Sequence, residues 1–166
     1  HIGVDHHETS HNKSNIDLFG TAYNIPTANE SFDCAICTAV LEHLEEPEQA
    51  IRECYRILKK GGITIYSVPF IWHLHEEPRD FFRYSKYGLK YLFEKSGFEI
   101  IEITPLSGFA VPFIQLHLYL VKGKFDKGII KFLGLFNIYC IIFTKIGLFI
   151  NRYDNSKSLT WMYMLV

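Results

Sequence analysis

The chain has no surplus of positive charge: 17 Lys and Arg stand against 18 Asp and Glu, a formal net charge of −1. Nucleic-acid binding needs a clustered basic excess, so that class of partner is not expected. No charged and apolar leader precedes the first strand-like residues, and the chain opens on His1 rather than Met; it is expected to be a piece of a longer protein. The most apolar segment also falls short of a bilayer. Its longest uncharged run, Phe132 to Thr144, is 13 residues, against the ~18–20 that span one. Cysteines number four and make no disulfide framework. Cys34 and Cys37 read C-x-x-C, but three positions apart on a strand they face opposite ways. Buried, reduced thiols are expected, which fits a cytoplasmic setting.

What is present is aromatic: 14 Phe and 10 Tyr in 166 residues, one domain's length with room for a core. "HIGVD" reads as a short strand ending in an acid, and "IDLFGTAYNIP" holds another before Pro26. Cys34 to Thr38 is nearly continuous and apolar, as in a parallel strand covered on both faces. "EEPEQAIRECYRILKKGG" is the clearest helix: Ala50, Ile51, Cys54, Tyr55 and Leu58 form one stripe, with Pro47 in the first turn and Lys59, Lys60 and Gly61 at the stop. "ITIYSVPF" is a strand, "SKYGLKYLFEKSGF" a helix with Leu89, Leu92 and Phe93 on one side, and "FEIIEITPLSG" a further strand.

Strand, helix, strand, helix, strand predicts a mostly parallel, doubly wound α/β sheet, whose ligands bind beyond the carboxyl ends of the strands. Glu42 and His43 follow such an end directly. They belong either to a ligand crevice or, for Glu42, to the acidic cap of the next helix.

In that order, "IGVD", "GTAYNIP", "SFDCAICTAVLEHL", "PEQAIRECYRILKKGG", "ITIYSVPF" and "SGFEIIEI" resemble the class I S-adenosylmethionine-dependent methyltransferases, type-eleven group, and "LTWMYMLV" resembles the last strand of that Rossmann-like fold. The resemblance implies a methyltransferase core over 1–108, an apolar helical insertion or lid over 109–150, and the final strand within 151–166. It implies S-adenosylmethionine as cofactor. Asp5 takes the place of the acid that holds the ribose hydroxyls. Thr21, Ala22 and Tyr23 flank the adenine, with Thr21 where the family usually has an acid. Thr38 and Ala39 line the methionine side. The family's first strand and glycine-rich loop have no counterpart here, so the fold is expected to be N-terminally truncated and the piece alone inactive.

The stretch Pro69 to Leu89 is where the family closes over its acceptor, and "HEEPRDFFRYS" resembles a segment of members linked to cell-surface polysaccharide synthesis. A sugar or lipid-linked sugar is the acceptor this implies. His43 and His75 are the candidate bases, and Arg83 and Tyr84 the candidate substrate contacts. His73 and His75 share a face if extended, but no third ligand is spaced to join them, and no metal site is expected. His6, His7 and His11 read as an exposed loop. Arg79, Asp80 and Arg83 read equally as a solvated ion cluster, and Phe81–Phe82 as core.

Lys122, Lys124, Lys127, Lys131 and Lys145 punctuate the apolar segment against Asp126 alone. That suits peripheral contact of residues 120–150 with an anionic membrane face; the competing expectation is a lid or subunit contact buried against the sheet. Against the enzyme stands a second class of function, a catalytically silent methyltransferase-like scaffold at the membrane surface.

Overall fold

The computed structural model describes residues 1–6, 14, 16–125, 134–154, 156 and 158–166. Two ladders form. In the first, β1 (Val4–Asp5) pairs in parallel with β2 (Leu18–Phe19). In the second, β3 (Phe32–Thr38), β4 (Leu58–Pro69), β5 (Ile103–Pro105) and β6 (Met162–Leu165) lie in the order β3-β4-β6-β5. β3 and β4 are parallel, and β6 runs antiparallel between β4 and β5. The architecture is the expected Rossmann-like α/β sheet with its reversed last strand. Strands 1 and 2 are shorter than their sequence runs suggest.

Helix α1 (Pro47–Ile57) begins with Pro at its first position, Glu48 in its first turn and Arg56 in its last. These choices complement the helix dipole and the missing first-turn acceptors. The helix stops at Ile57, and Leu58 already belongs to β4. Lys59 to Gly62 therefore form an irregularity of the strand, where the register jumps from Phe32↔Leu58 to Cys34↔Ile63. Gly61 carries the positive φ of 76° that the kink requires.

Tyr55, expected in the buried stripe, is 52% exposed and lies edge-on to Phe98; Ile57 is buried instead. Helix α2 (Lys86–Lys95) is capped by Ser85, whose Oγ accepts from Gly88 N–H at 3.1 Å. Ile51 and Cys54 of α1, Leu89 and Phe93 of α2, Tyr66 and Val68 of β4, and Tyr163 and Leu165 of β6 form the core. Glu48 ties the two helices across the surface through Lys95.

The other face of β3–β4 is not covered by the described residues: Ile36 is 71% exposed and Cys34 is exposed, contrary to the buried thiol expected there. Burial does push the Cys37 thiol up to about 12, and the Cys54 thiol upward.

Helices α3 (Ala110–Phe125) and α4 (Leu135–Asn151) pack on each other, closely enough that Gly147 meets the Ile114 side chain. Asn151 accepts from Gly108 N–H, and Asp154 from Phe109 N–H, joining the two ends of the pair. The outer faces are open to solvent, with Leu120, Ile138, Ile141, Leu148 and Phe149 each more than half exposed. No helix among the described residues is long and apolar enough to cross a membrane.

Candidate functional site

β3 ends at Thr38, and the next residue, Ala39, adopts the left-handed φ of 51° while its N–H bonds Ser67 C=O of β4 at 2.9 Å. A non-glycine residue held there costs on the order of 1–3 kcal/mol, strain that persists only where the surroundings impose it. The chain then makes one 3₁₀ turn, Leu41–His43. Leu41 is fully buried in the core and pins the turn. Glu42 is drawn in with it, to 1% exposure, while His43 stays on the rim. Glu42 does not cap α1, whose N-cap is Glu46.

The segment after β4 is stitched onto this turn. Phe81 and Phe82 N–H both donate to Glu42 C=O (2.9 and 3.2 Å), and Tyr84 Oη–H donates to Leu41 C=O at 3.0 Å. Those bonds bring His75 against His43, ring centroids 4.7 Å apart and edge to face.

The orientation of both imidazoles follows from their partners. His43 Nδ1 lies 2.6 Å from Arg79 C=O, so that nitrogen carries the proton and donates. His75 Nδ1 lies 3.3 Å from both Asp80 Oδ2 and His73 C=O, and donates likewise. The two Nε2 atoms face one carboxylate. Glu42 Oε1 is 3.8 Å from His43 Nε2 and 4.0 Å from His75 Nε2. The second Glu42 oxygen, Oε2, is buried with no hydrogen-bond partner among the described residues. Burial raises the Glu42 carboxyl above the usual carboxylate range, opposed in part by its own backbone N–H and the neighbouring His43, His75 and Arg83. Glu76, mostly exposed and with a left-handed φ of 53°, places Oε2 3.9 Å from His43 Nε2.

Asp80 and Arg83 hold this cluster and do not line it. Arg83 donates through Nη1 to Asp80 Oδ1 (2.6 Å) and Phe82 C=O, through Nη2 to Asp80 Oδ2 (2.7 Å) and His73 C=O, and through Nε to Trp72 C=O. All five guanidinium donors are thus matched within the chain. The pair is no solvated ion cluster, since Asp80 is only 1% exposed; the Arg83 bonds hold its carboxyl far below the ordinary range. Tyr84, expected to touch substrate, is buried, and burial raises its hydroxyl. Arg83 and Tyr84 therefore belong to the support. Phe81 and Phe82, expected as core, are each about 40% exposed. His73 points elsewhere, stacking on Tyr119 at 3.7 Å. Glu76 is not singled out by the sequence, and Asp80 enters there only as part of an ion cluster. The signal for Asp80 was its spacing of three from Arg83.

The residues assigned to the cofactor lie at the same strand ends. Asp5 closes β1, with Oδ1 accepting His6 N–H at 2.7 Å. Thr21 and Asn24 close a tight turn after β2 through N–H···O bonds of 3.3 and 3.1 Å. Tyr23 at its tip donates to Glu45 (3.3 Å) and accepts from Glu46 N–H (3.3 Å), tying the end of β2 to the entrance of α1. A terminal carboxylate, an open backbone turn and a strained residue after β3 form a donor set that fits a ribose, an adenine and an amino-acid moiety. A separate cleft of about 530 Å³, bordered by Tyr55, Lys60, Gly97 and Val166, lies at the opposite, amino ends of the strands. It holds none of these residues. His7 and His11 lie outside the described residues.

Residues 3–66 match the family model of the methyltransferase domain, type eleven. Over these residues the chain is similar to that family. Over 38 residues it is 45% identical to a ubiquinone biosynthesis O-methyltransferase of Pseudomonas putida, an alignment covering 23% of this chain and 16% of that protein. The chain thus matches well under two thirds of the length of such relatives. In structure it is similar to the [4+2]-cyclase SpnF, with a TM-score of 0.53 at 19% identity over 92% of this chain and 55% of that one. A methyltransferase-fold protein of Bacillus halodurans C-125, described as a putative methyltransferase, aligns with a TM-score of 0.50 at 21% identity, covering 55% and 49% of the two chains. At those identities the two structures establish the Rossmann-like fold. SpnF is a reminder that this fold also hosts a cyclase.

Proposed function

We propose that the protein containing this chain transfers a methyl group from S-adenosylmethionine to a hydroxyl of a small acceptor, and that Glu42, His43 and His75 form its acceptor-activating cluster. The reading rests on the methyltransferase-domain match of residues 3–66, whose β3 runs straight into that cluster. When bound, the cofactor supplies an already activated methyl on a sulfonium, which leaves the protein two tasks: alignment and removal of the acceptor's proton. Asp5 is assigned to the ribose hydroxyls, Thr21, Ala22 and Tyr23 to the adenine side, and Thr38 and Ala39 to the methionine side. The acceptor hydroxyl is assigned to the mouth of the cluster, where the two Nε2 atoms face.

Two acceptor classes are open to test. The Pseudomonas relative acts in ubiquinone biosynthesis as an O-methyltransferase, which favours a phenolic acceptor. The stretch "HEEPRDFFRYS" favours a sugar. Turnover with a catechol-type phenol and none with lipid-linked or free sugars selects the first.

Asp5→Ala, in the whole protein, is expected to weaken S-adenosylmethionine binding ten-fold or more. Hydrogen bonds to a charged group contribute about 1.5–3 kcal/mol each, and water replaces them only in part. Calorimetric titration checks this; unchanged affinity removes Asp5 from the site and takes the reading's best-anchored residue with it.

The exposed outer faces of α3 and α4, with exposed Lys122 and Lys145 beside them, favour a resting place for the protein on an anionic membrane. Flotation with vesicles containing anionic lipid is expected to carry the whole protein upward, and a variant lacking residues 120–150 to stay below. Equal flotation of the two assigns these faces to a protein partner. The same contact would serve a catalytically silent scaffold, which would show flotation without turnover.

A further inference from the structure

We propose that Glu42, His43 and His75 form a binding site for a divalent transition-metal cation. One carboxylate oxygen and one ring nitrogen of each imidazole, from two separate segments, lie within 4.8 Å of one another. Zinc-type ions bind such donors at ~2.0–2.2 Å in a tetrahedral set, which places neighbouring ligand atoms roughly 3.3–3.6 Å apart. The observed Glu42 Oε1 distances of 3.8 and 4.0 Å close to that spacing with shifts of roughly half an ångström.

Three independent features favour an ion over a packed polar cluster. Glu42 is 1% exposed, yet its Oε2 has no hydrogen-bond partner among the described residues. A carboxylate buried with an oxygen left unsatisfied is costly, and a cation held at Oε1 offsets the burial of its charge. Next, both imidazoles are held as ligating histidines usually are. The Nδ1–H of His43 is given to a backbone carbonyl, and that of His75 to a carboxylate that Arg83 clamps in turn. This arrangement presents a lone pair at Nε2 and raises its donor strength. Finally, the site reaches solvent: His43 and His75 keep 15% and 24% side-chain exposure, which allows a further ligand from solvent. Glu76 Oε2, 3.9 Å from His43 Nε2, borders that opening.

Two nitrogen donors and one oxygen select against calcium and magnesium, which take oxygen ligands, and for zinc, cobalt, iron or manganese. Held at the carboxyl end of β3, the ion's open position faces the place assigned above to the acceptor hydroxyl. Coordination there lowers the hydroxyl's pKa and aligns its oxygen, so the acceptor class is one that can offer an oxygen ligand. That consequence rests on the methyl-transfer reading; the binding site itself does not.

The test is titration of the whole protein with Zn²⁺ by calorimetry and with Co²⁺ by visible absorption, which reports the ligand set directly. One ion per chain is expected at this site, with His43→Ala, His75→Ala and the isosteric Glu42→Gln each weakening binding roughly ten- to hundred-fold or more. Circular dichroism identifies any variant that has not folded, and Glu42→Gln changes the cluster least in shape. Binding that is absent in the parent protein overturns the proposal. So does binding that survives in the His43→Ala/His75→Ala double variant, which assigns the ion to histidines elsewhere, among them His1 and His6. Neither measurement involves methyl transfer. Lost metal binding with intact S-adenosylmethionine affinity removes the ion alone, and the reverse outcome removes the methyltransferase reading alone.

Discussion

His75→Ala lowers turnover by roughly 10²–10⁴-fold while leaving S-adenosylmethionine affinity nearly unchanged: that is the expected result for a group that acts on the acceptor's proton. The separation of effects follows from placement. Asp5 and the Thr21–Asn24 turn sit at the ends of β1 and β2, whereas His75 reaches the site from the segment after β4, and its ring turns Nε2 toward Glu42. Asp80→Asn is the informative companion. It keeps the shape but removes the charge that His75 Nδ1–H meets at 3.3 Å and that Arg83 grips at 2.6 and 2.7 Å. A smaller fall in turnover is expected from it, since Asp80 positions the ring and does not touch the acceptor. Steady-state kinetics together with cofactor titration distinguish the outcomes. A rise in the acceptor's KM with turnover intact reduces His75 to a wall of the pocket, and unchanged kinetics leave His43 as the remaining base. A fall in turnover that accompanies lost Zn²⁺ binding favours the cation over a bare imidazole base.

Phe93→Ala is expected to cost about 3–5 kcal/mol of stability, the range for emptying a buried aromatic site. Phe93 is fully buried, meets Tyr66 of the central strand edge-on at 4.9 Å, and touches Phe98 at 5.8 Å. It therefore joins α2 to β4 and to the segment leading into β5, so its removal opens a cavity where three elements meet. A domain's whole margin is roughly 5–15 kcal/mol, and a loss of this size removes a large fraction of that margin. Tyr91, two residues earlier on the same helix and 63% exposed, provides the contrast; Tyr91→Ala is expected to stay within about 0.5 kcal/mol. Denaturant unfolding of the two variants measures both. Similar midpoints place the core away from α2 and contradict the packing described.

Some of this was determined by local sequence. Helix α1 was legible because Pro47, the 3.6-residue apolar spacing and the terminal charges act within a few residues of one another. The same holds for the approach of β3 to Glu42 and His43. Order along the chain carried the fold class, since alternating strands and helices leave few ways to cover a sheet.

Tertiary structure decided the rest, where the deciding partner is distant in sequence. Tyr55 sits on the apolar stripe, but the docking angle of α2 leaves it at the edge, and Ile57 goes inside. Lys59–Gly62 read as a helix stop and became a kinked strand, because β3 offers a ladder that local propensity cannot register. Arg83 reads in the sequence as a substrate contact or part of a solvated ion cluster, and the fold gives its donors to buried Asp80 and three backbone carbonyls. The candidate site itself is the clearest case. His75 lacks a third ligand at any sequence spacing, and it acquires Glu42 and His43 only because Phe81 and Phe82 hydrogen-bond the Glu42 carbonyl across some forty residues of intervening chain. A hydrophobic period records which side of an element is buried; it does not record which polar groups of two loops will meet once that side is packed.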